Sequence, residues 1–103
     1  MNRNKLAKLR RRIAELRHAS AKAIAFQRLA KQLGREKDKN RGKEPTWVNR
    51  DFPALRPLSI PDHGGRDIPY GTKQSMLNQL EEDVYSWDEL LLQQESEKIK
   101  GVK

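Results

Sequence analysis

No cysteine occurs in the 103 residues, which excludes a disulfide-stapled scaffold and every thiolate metal site. There are only two histidines, His18 and His63. No pair of His, Asp or Glu has a convincing ligand spacing, so neither a metal nor a cofactor is expected. No apolar run approaches the roughly 20 residues that a membrane span needs, and the first residues lack the apolar segment of a secretory signal. Residues 1–14 are Arg-rich and acid-poor, as an organelle transit peptide is, but they contain no serine. The expectation is therefore a cytoplasmic protein without a membrane partner. Apolar residues make up 35% of the chain, charged residues another 35% and aromatics only 6%. That composition fits one small domain, a compact unit of roughly 70 to 80 residues, with part of the length outside the core as solvated helix or tail.

Charge is plentiful, and its sign changes along the chain. Up to Lys43 there are 15 Lys and Arg against three acids; from Glu44 onward there are 7 against 11. A strongly basic first half suggests a polyanion as partner, most often nucleic acid, and a solvated basic helix is the plainer alternative.

Periodicity organises the first third. Leu6, Leu9, Ile13 and Leu16 recur at three- and four-residue steps and line one helix face, leaving Arg10, Arg11, Arg12 and Arg17 on the others. After Ser20 the apolar stripe shifts to Ile24, Phe26, Leu29, Ala30 and Leu33, and Gly34 is a C-terminal stop. Two helices, or one that changes partner, satisfy the pattern. The first stripe is also the kind of surface through which a short coiled coil would tether a second copy.

Residues 35–44, REKDKNRGKE, have no apolar member and read as an exposed edge strand or a loop. Thr46-Trp47-Val48 and Leu58-Ser59-Ile60 read as brief strands between prolines, with Phe52, Pro53 and Leu55 in a loop that folds back on the core. Trp47 is expected in that core, stacking on a base being the alternative. Pro61, Gly64, Gly65, Pro69 and Gly71 punctuate a loop, Thr72 is an N-cap, and Met76, Leu77, Leu80 and Val84 give the next helix its apolar face. Ser86-Trp87-Asp88-Glu89 has capping-box spacing, so a second short helix starts there unless the first continues through Trp87 and Leu91. The order helix, strands, helix predicts an α+β fold: a small antiparallel sheet of about three strands with two helices on one face, preceded by an N-terminal helix.

The run SIPDHGGRDIPYGT from Ser59 to Thr72, followed by Ser75-Met76-Leu77-Asn78-Gln79-Leu80, resembles the C-terminal half of HicA-type toxins. Those proteins show a strand ending in a Val-Pro-like pair, a His-Gly turn, and a Gly-Thr pair opening a helix. The resemblance is good over about 30 residues, extends loosely over another 40, and is absent over the first 20. It implies a double-stranded-RNA-binding-like α-β-β-β-α domain, RNA as partner, RNA cleavage as activity and a HicB-like antitoxin as the controlling protein. On this reading residues 1–20 are a basic helical extension, residues 21–94 the HicA-like domain and residues 95–103 a flexible tail. One departure matters: where the family carries a Gly-Ser-His-like motif with the histidine linked to cleavage, this chain has Gly42-Lys43-Glu44.

Metal-free RNA cleavage needs a base for the 2′-hydroxyl proton, an acid for the leaving oxygen and cations on the phosphate. His63 is the better of the two histidines, because Gly64 and Gly65 allow close backbone approach and Arg66 can pair with a phosphate; a turn histidine that hydrogen-bonds the start of the next helix is the plainer alternative. His18 reads as a solvated helical residue among cations. Glu44 is the alternative base, or an ion-pair partner for Lys43. For binding, Lys37, Lys39, Arg41 and Lys43 alternate and would project from one strand face, and with Arg10, Arg11 and Arg12 they would follow an A-form backbone read by shape. The rival to an RNA-cleaving toxin is an inactive RNA-binding or protein-interaction module of the same fold.

Overall fold

The structure, a computed structural model, describes residues 1–38, 45–61 and 64–100. Its elements run α1 (Arg3–Arg17), α2 (Ala23–Gln32), β1 (Arg35–Asp38), β2 (Thr46–Asn49), β3 (Leu58–Ser59) and α3 (Tyr70–Lys100). This is the α+β order expected from the sequence, with three antiparallel strands in the order β1-β2-β3. Among the described residues, no helix is long and apolar enough to cross a membrane.

Local chemistry sets the helix ends. Asn2 caps α1, its side-chain oxygen accepting the Lys5 N–H at 2.8 Å. Gly34 follows the last turn of α2 at φ 98°. A Cβ at Gly34 would sit 2.7 Å from an oxygen of the exposed Asp51 side chain, which can turn aside, so it is the left-handed backbone that favours glycine there. Helix α3 starts at Tyr70, ahead of the Thr72 cap suggested by the sequence, with the Lys73 N–H closing the first turn on the Pro69 carbonyl at 2.9 Å.

Helix α3 then runs unbroken for 31 residues, ~46 Å at about 1.5 Å per residue. Ser86 to Glu89 therefore open no second helix, and residues 95–100 of the expected flexible tail are helical. The stripe instead continues through Trp87, which packs edge-on against Phe52 with ring centroids 4.8 Å apart, to the buried Leu91. That contact is how the loop after β2 folds back.

Register explains which sheet face is covered. Arg35 pairs with Asn49, Lys37 with Trp47, and Trp47 with Leu58, so all five lie on one face. Four of them are buried beneath α2 and α3, whereas Glu36, Val48 and Ser59 on the other face are not buried. Trp47 is thus a core residue, with the Lys31 ammonium 5.7 Å from its ring centroid.

The basic helix at residues 1–20 is built into the same core. Leu6, Leu9, Ile13 and Leu16 are buried in one cluster with Phe26, Leu58, Leu77, Leu80 and Val84, each contributing about 1.5–3 kcal/mol by leaving water. The stripe that could have tethered a second copy is covered by the chain's own α3.

Beneath the sheet lies a buried ion pair. Arg35 is 2% exposed and Asp83 0%. The guanidinium meets both carboxylate oxygens of Asp83 at 2.8 Å, and its remaining terminal nitrogen donates to the Trp47 and Arg56 carbonyls at 2.9 and 3.0 Å. Asn49 donates to Asp83 at 3.1 Å and to the Leu33 carbonyl at 3.0 Å, and the Trp87 indole donates to that same carbonyl at 2.7 Å. Burying two charges is costly, and this geometry repays the cost by filling nearly every donor and acceptor. Asp83→Ala is expected to destabilise the fold by about 3–5 kcal/mol, because it strands a buried guanidinium. The double variant Arg35→Met/Asp83→Leu should recover most of that loss. Urea denaturation midpoints of the three proteins check both statements.

Candidate nucleic-acid interface

Helices α1 and α3 lie antiparallel, and the ends of α1 are fastened to the acidic side of α3. Near one end Arg3 bonds Asp88, and its Nε reaches Glu95 at 2.9 Å. Near the other, Arg17 donates to Gln74 at 2.6 Å, to Asn78 at 2.9 Å and to Glu81 at 2.9 Å. Part of the charge asymmetry in the sequence is therefore satisfied inside the molecule. The Arg3 guanidinium holds the Glu95 carboxyl below the usual glutamate range, and Arg3 itself is pushed up by the same bonds.

What remains outward is the surface available to a polyanion. Arg10, Arg11 and Arg12 are all exposed, but at about 100° per residue they fan apart. Arg10 lies on the flank of α1 shared with Arg3 and Arg17, Arg11 opposite the buried stripe, and Arg12 on the flank toward α2. Arg12 lines a groove of about 260 Å³ between α1 and α2 together with Ile24, Arg28 and Gln32. It also pairs with Glu15 at 3.3 Å. Lys8 and Lys5, exposed one and two turns before Arg12, extend the same flank. Arg28 was not singled out in the sequence, although Lys5, Lys8 and Arg12 already show the spacing of a basic stripe that needs a partner helix.

The structure does not gather the other candidates into this groove. Lys37 is exposed on the edge strand β1, on the same sheet face as the buried Arg35. Arg66 is exposed in the connection to α3, beside the bridge that pairs Asp67 with Lys22. The candidate catalytic residues His63 and Glu44 lie outside the described residues, as do Lys39, Arg41 and Lys43.

Among the described arginines, two populations are distinct. Arg3, Arg12, Arg17, Arg35 and Arg50 each hold a carboxylate; Arg10, Arg11, Arg28, Arg56 and Arg66 hold none among the described residues. The second set can meet phosphates without first breaking an ion pair.

No family model matches this sequence, and neither a curated protein nor a solved structure is significantly similar to it.

The Arg3–Glu95 bond carries a pH signature. Because the carboxyl is depressed in the fold, the stabilisation it provides is complete above the ordinary glutamate pKa and is lost as pH falls through the lower folded value. NMR titration of the Glu95 carboxyl should give a midpoint below the usual glutamate range. Arg3→Ala should return it to that range.

Proposed function

We propose that the protein is a cytoplasmic, HicA-like RNA-binding module that engages the phosphate backbone through the basic flanks of α1 and α2. The observation that carries this reading is the groove that brings Arg12 and Arg28 together from two helices, with Arg11 exposed on the outer side of α1 next to it; Arg11 and Arg28 hold no carboxylate among the described residues. The α-β-β-β-α order from α2 to α3 agrees with the double-stranded-RNA-binding-like frame that the residues from Ser59 to Leu80 suggest. Duplex RNA is read by shape and backbone across its shallow groove, which suits separated cations on rigid helices better than a base-reading pocket. Trp47 takes no part, since its ring is in the core.

The resemblance adds two further elements, RNA cleavage and control by a HicB-like partner protein. Because Glu44 stands where the family carries its strand histidine, the residues that could carry cleavage here are His63, beside Gly64, Gly65 and Arg66, or Glu44 itself.

Binding to a duplex RNA should weaken steeply with salt. Arg11→Ala and Arg28→Ala should each flatten the slope of log K against log salt by roughly 0.7–0.9, one phosphate contact apiece. Arg50→Ala, which removes a cation already paired with Glu36, should leave the slope unchanged. Equal slopes in all four proteins would sink the proposal.

Cleavage is tested in the same preparations, free of metal. Loss of product in His63→Ala or Glu44→Ala, with binding intact, would assign the chemistry to that residue. Binding without product from the parent protein would leave a binding module alone.

A further inference from the structure

Where the chain leaves α1 and where α3 begins, a second cleft of about 500 Å³ opens, lined by Arg17, His18, Ser20, Tyr70, Lys73 and Gln74. It is separate from the groove between α1 and α2. Its floor carries a buried cation: Lys73 is only 6% exposed. The Lys73 ammonium donates to the Ala19 carbonyl at 3.0 Å and lies 5.3 Å from the Tyr70 ring centroid. No carboxylate among the described residues pairs with it.

An ordinary role accounts for part of this. By bonding the Ala19 carbonyl, Lys73 closes the chain just after α1, as Gln74 does through the Arg17 carbonyl at 3.2 Å. That role uses one of the ammonium's three donors and leaves its charge uncompensated by any acid among the described residues, on a side chain that is itself 6% exposed. Two other features of the cleft have the same preference. The first turn of α3 contains no acid, so no carboxylate of that turn offsets the positive end of the helix. His18, exposed at the rim, offers a ring N–H. Arg17 contributes no net charge, being paired with Glu81.

We propose that this cleft is a phosphate-binding site, seating one phosphate group, free or carried by a nucleic acid, against the Lys73 ammonium with His18 at the rim. The phosphate supplies the missing counter-charge and takes donors that the fold leaves over. Neither residue belongs to the basic groove, so this site stands or falls separately from the RNA-binding reading.

The test uses the full chain and inorganic phosphate, with chloride at matched ionic strength as the control. Phosphate should raise Tm saturably, as a ligand of the native state does. The apparent Kd from that rise should weaken at least about tenfold in Lys73→Met. Lys73→Met also removes a bond at the end of α1 and lowers the starting Tm, so the readout is the phosphate-dependent increment and not Tm itself. The exposed His18→Ala keeps the fold and should weaken the same increment.

A duplex RNA titrated in parallel separates the sources. Competition between phosphate and RNA, lost in Lys73→Met, identifies a nucleic-acid phosphate. Phosphate binding with RNA affinity unchanged in Lys73→Met identifies a free phosphate. Either result supports the site. An increment no larger than that of chloride, or one equal in the parent protein and both variants, overturns it.

Discussion

Arg35 and Asp83 hold the fold at the point where the sheet meets its helices. The pair is bidentate and almost fully out of water, and its outer bonds reach the end of α2 through Leu33, strand β2 through Asn49 and Trp47, the loop at Arg56, and α3 through Trp87. An apolar core is tolerant of sliding, whereas this set of bonds is satisfied in one register only. A shift of one residue in β1 would turn Arg35 to the open face and leave Asp83 buried alone. The short strands of this sheet have little ladder of their own to set register, and the ion pair supplies that constraint.

The second organising feature is the division of arginines between structure and surface. Arg3 and Arg17 tie α1 to α3, Arg35 ties the sheet to α3, and Arg50 reaches Glu36 on β1. Net charge alone would assign all of them to a polyanion. Pairing within the fold removes these four from that role and leaves the binding reading on the outward cations of α1 and α2, Arg11, Arg12 and Arg28. Helical geometry then separates even the adjacent Arg10, Arg11 and Arg12, because neighbours in sequence on a helix do not share a face.

Much of the frame was legible in the residues. The stripe from Leu6 to Leu16, the stop at Gly34, and the strands at Trp47 and Leu58 follow from local periodicity and turn chemistry, and each is present. The central ion pair was not legible, since Arg35 sits in a run of charges without an apolar neighbour and its partner is 48 residues away. Nothing local distinguishes an arginine destined for the core from one destined for water. The continuity of α3 was ambiguous for a related reason: capping-box spacing at Ser86 to Glu89 also occurs within a helix, and the packing of Trp87 on Phe52 and of Leu91 in the core settles it. In the candidate interface, Arg10, Arg11 and Arg12 were visible, but the contribution of Arg28 depends on how two helices meet. The Lys73 cleft depends likewise on α1 and α3 coming together.

The pairing of the first helix with the last also bears on how the chain is made. Contacts between α1 and α3 span 57 to 92 residues, so closing them carries a loop entropy that local contacts do not. During synthesis α1 leaves the ribosome first, yet the surface that covers Leu6, Leu9, Ile13 and Leu16 arrives only with α3. The apolar stripe of α1 therefore stays uncovered until α3 emerges, and the side of the helix that the fold buries is the last to be shielded from water.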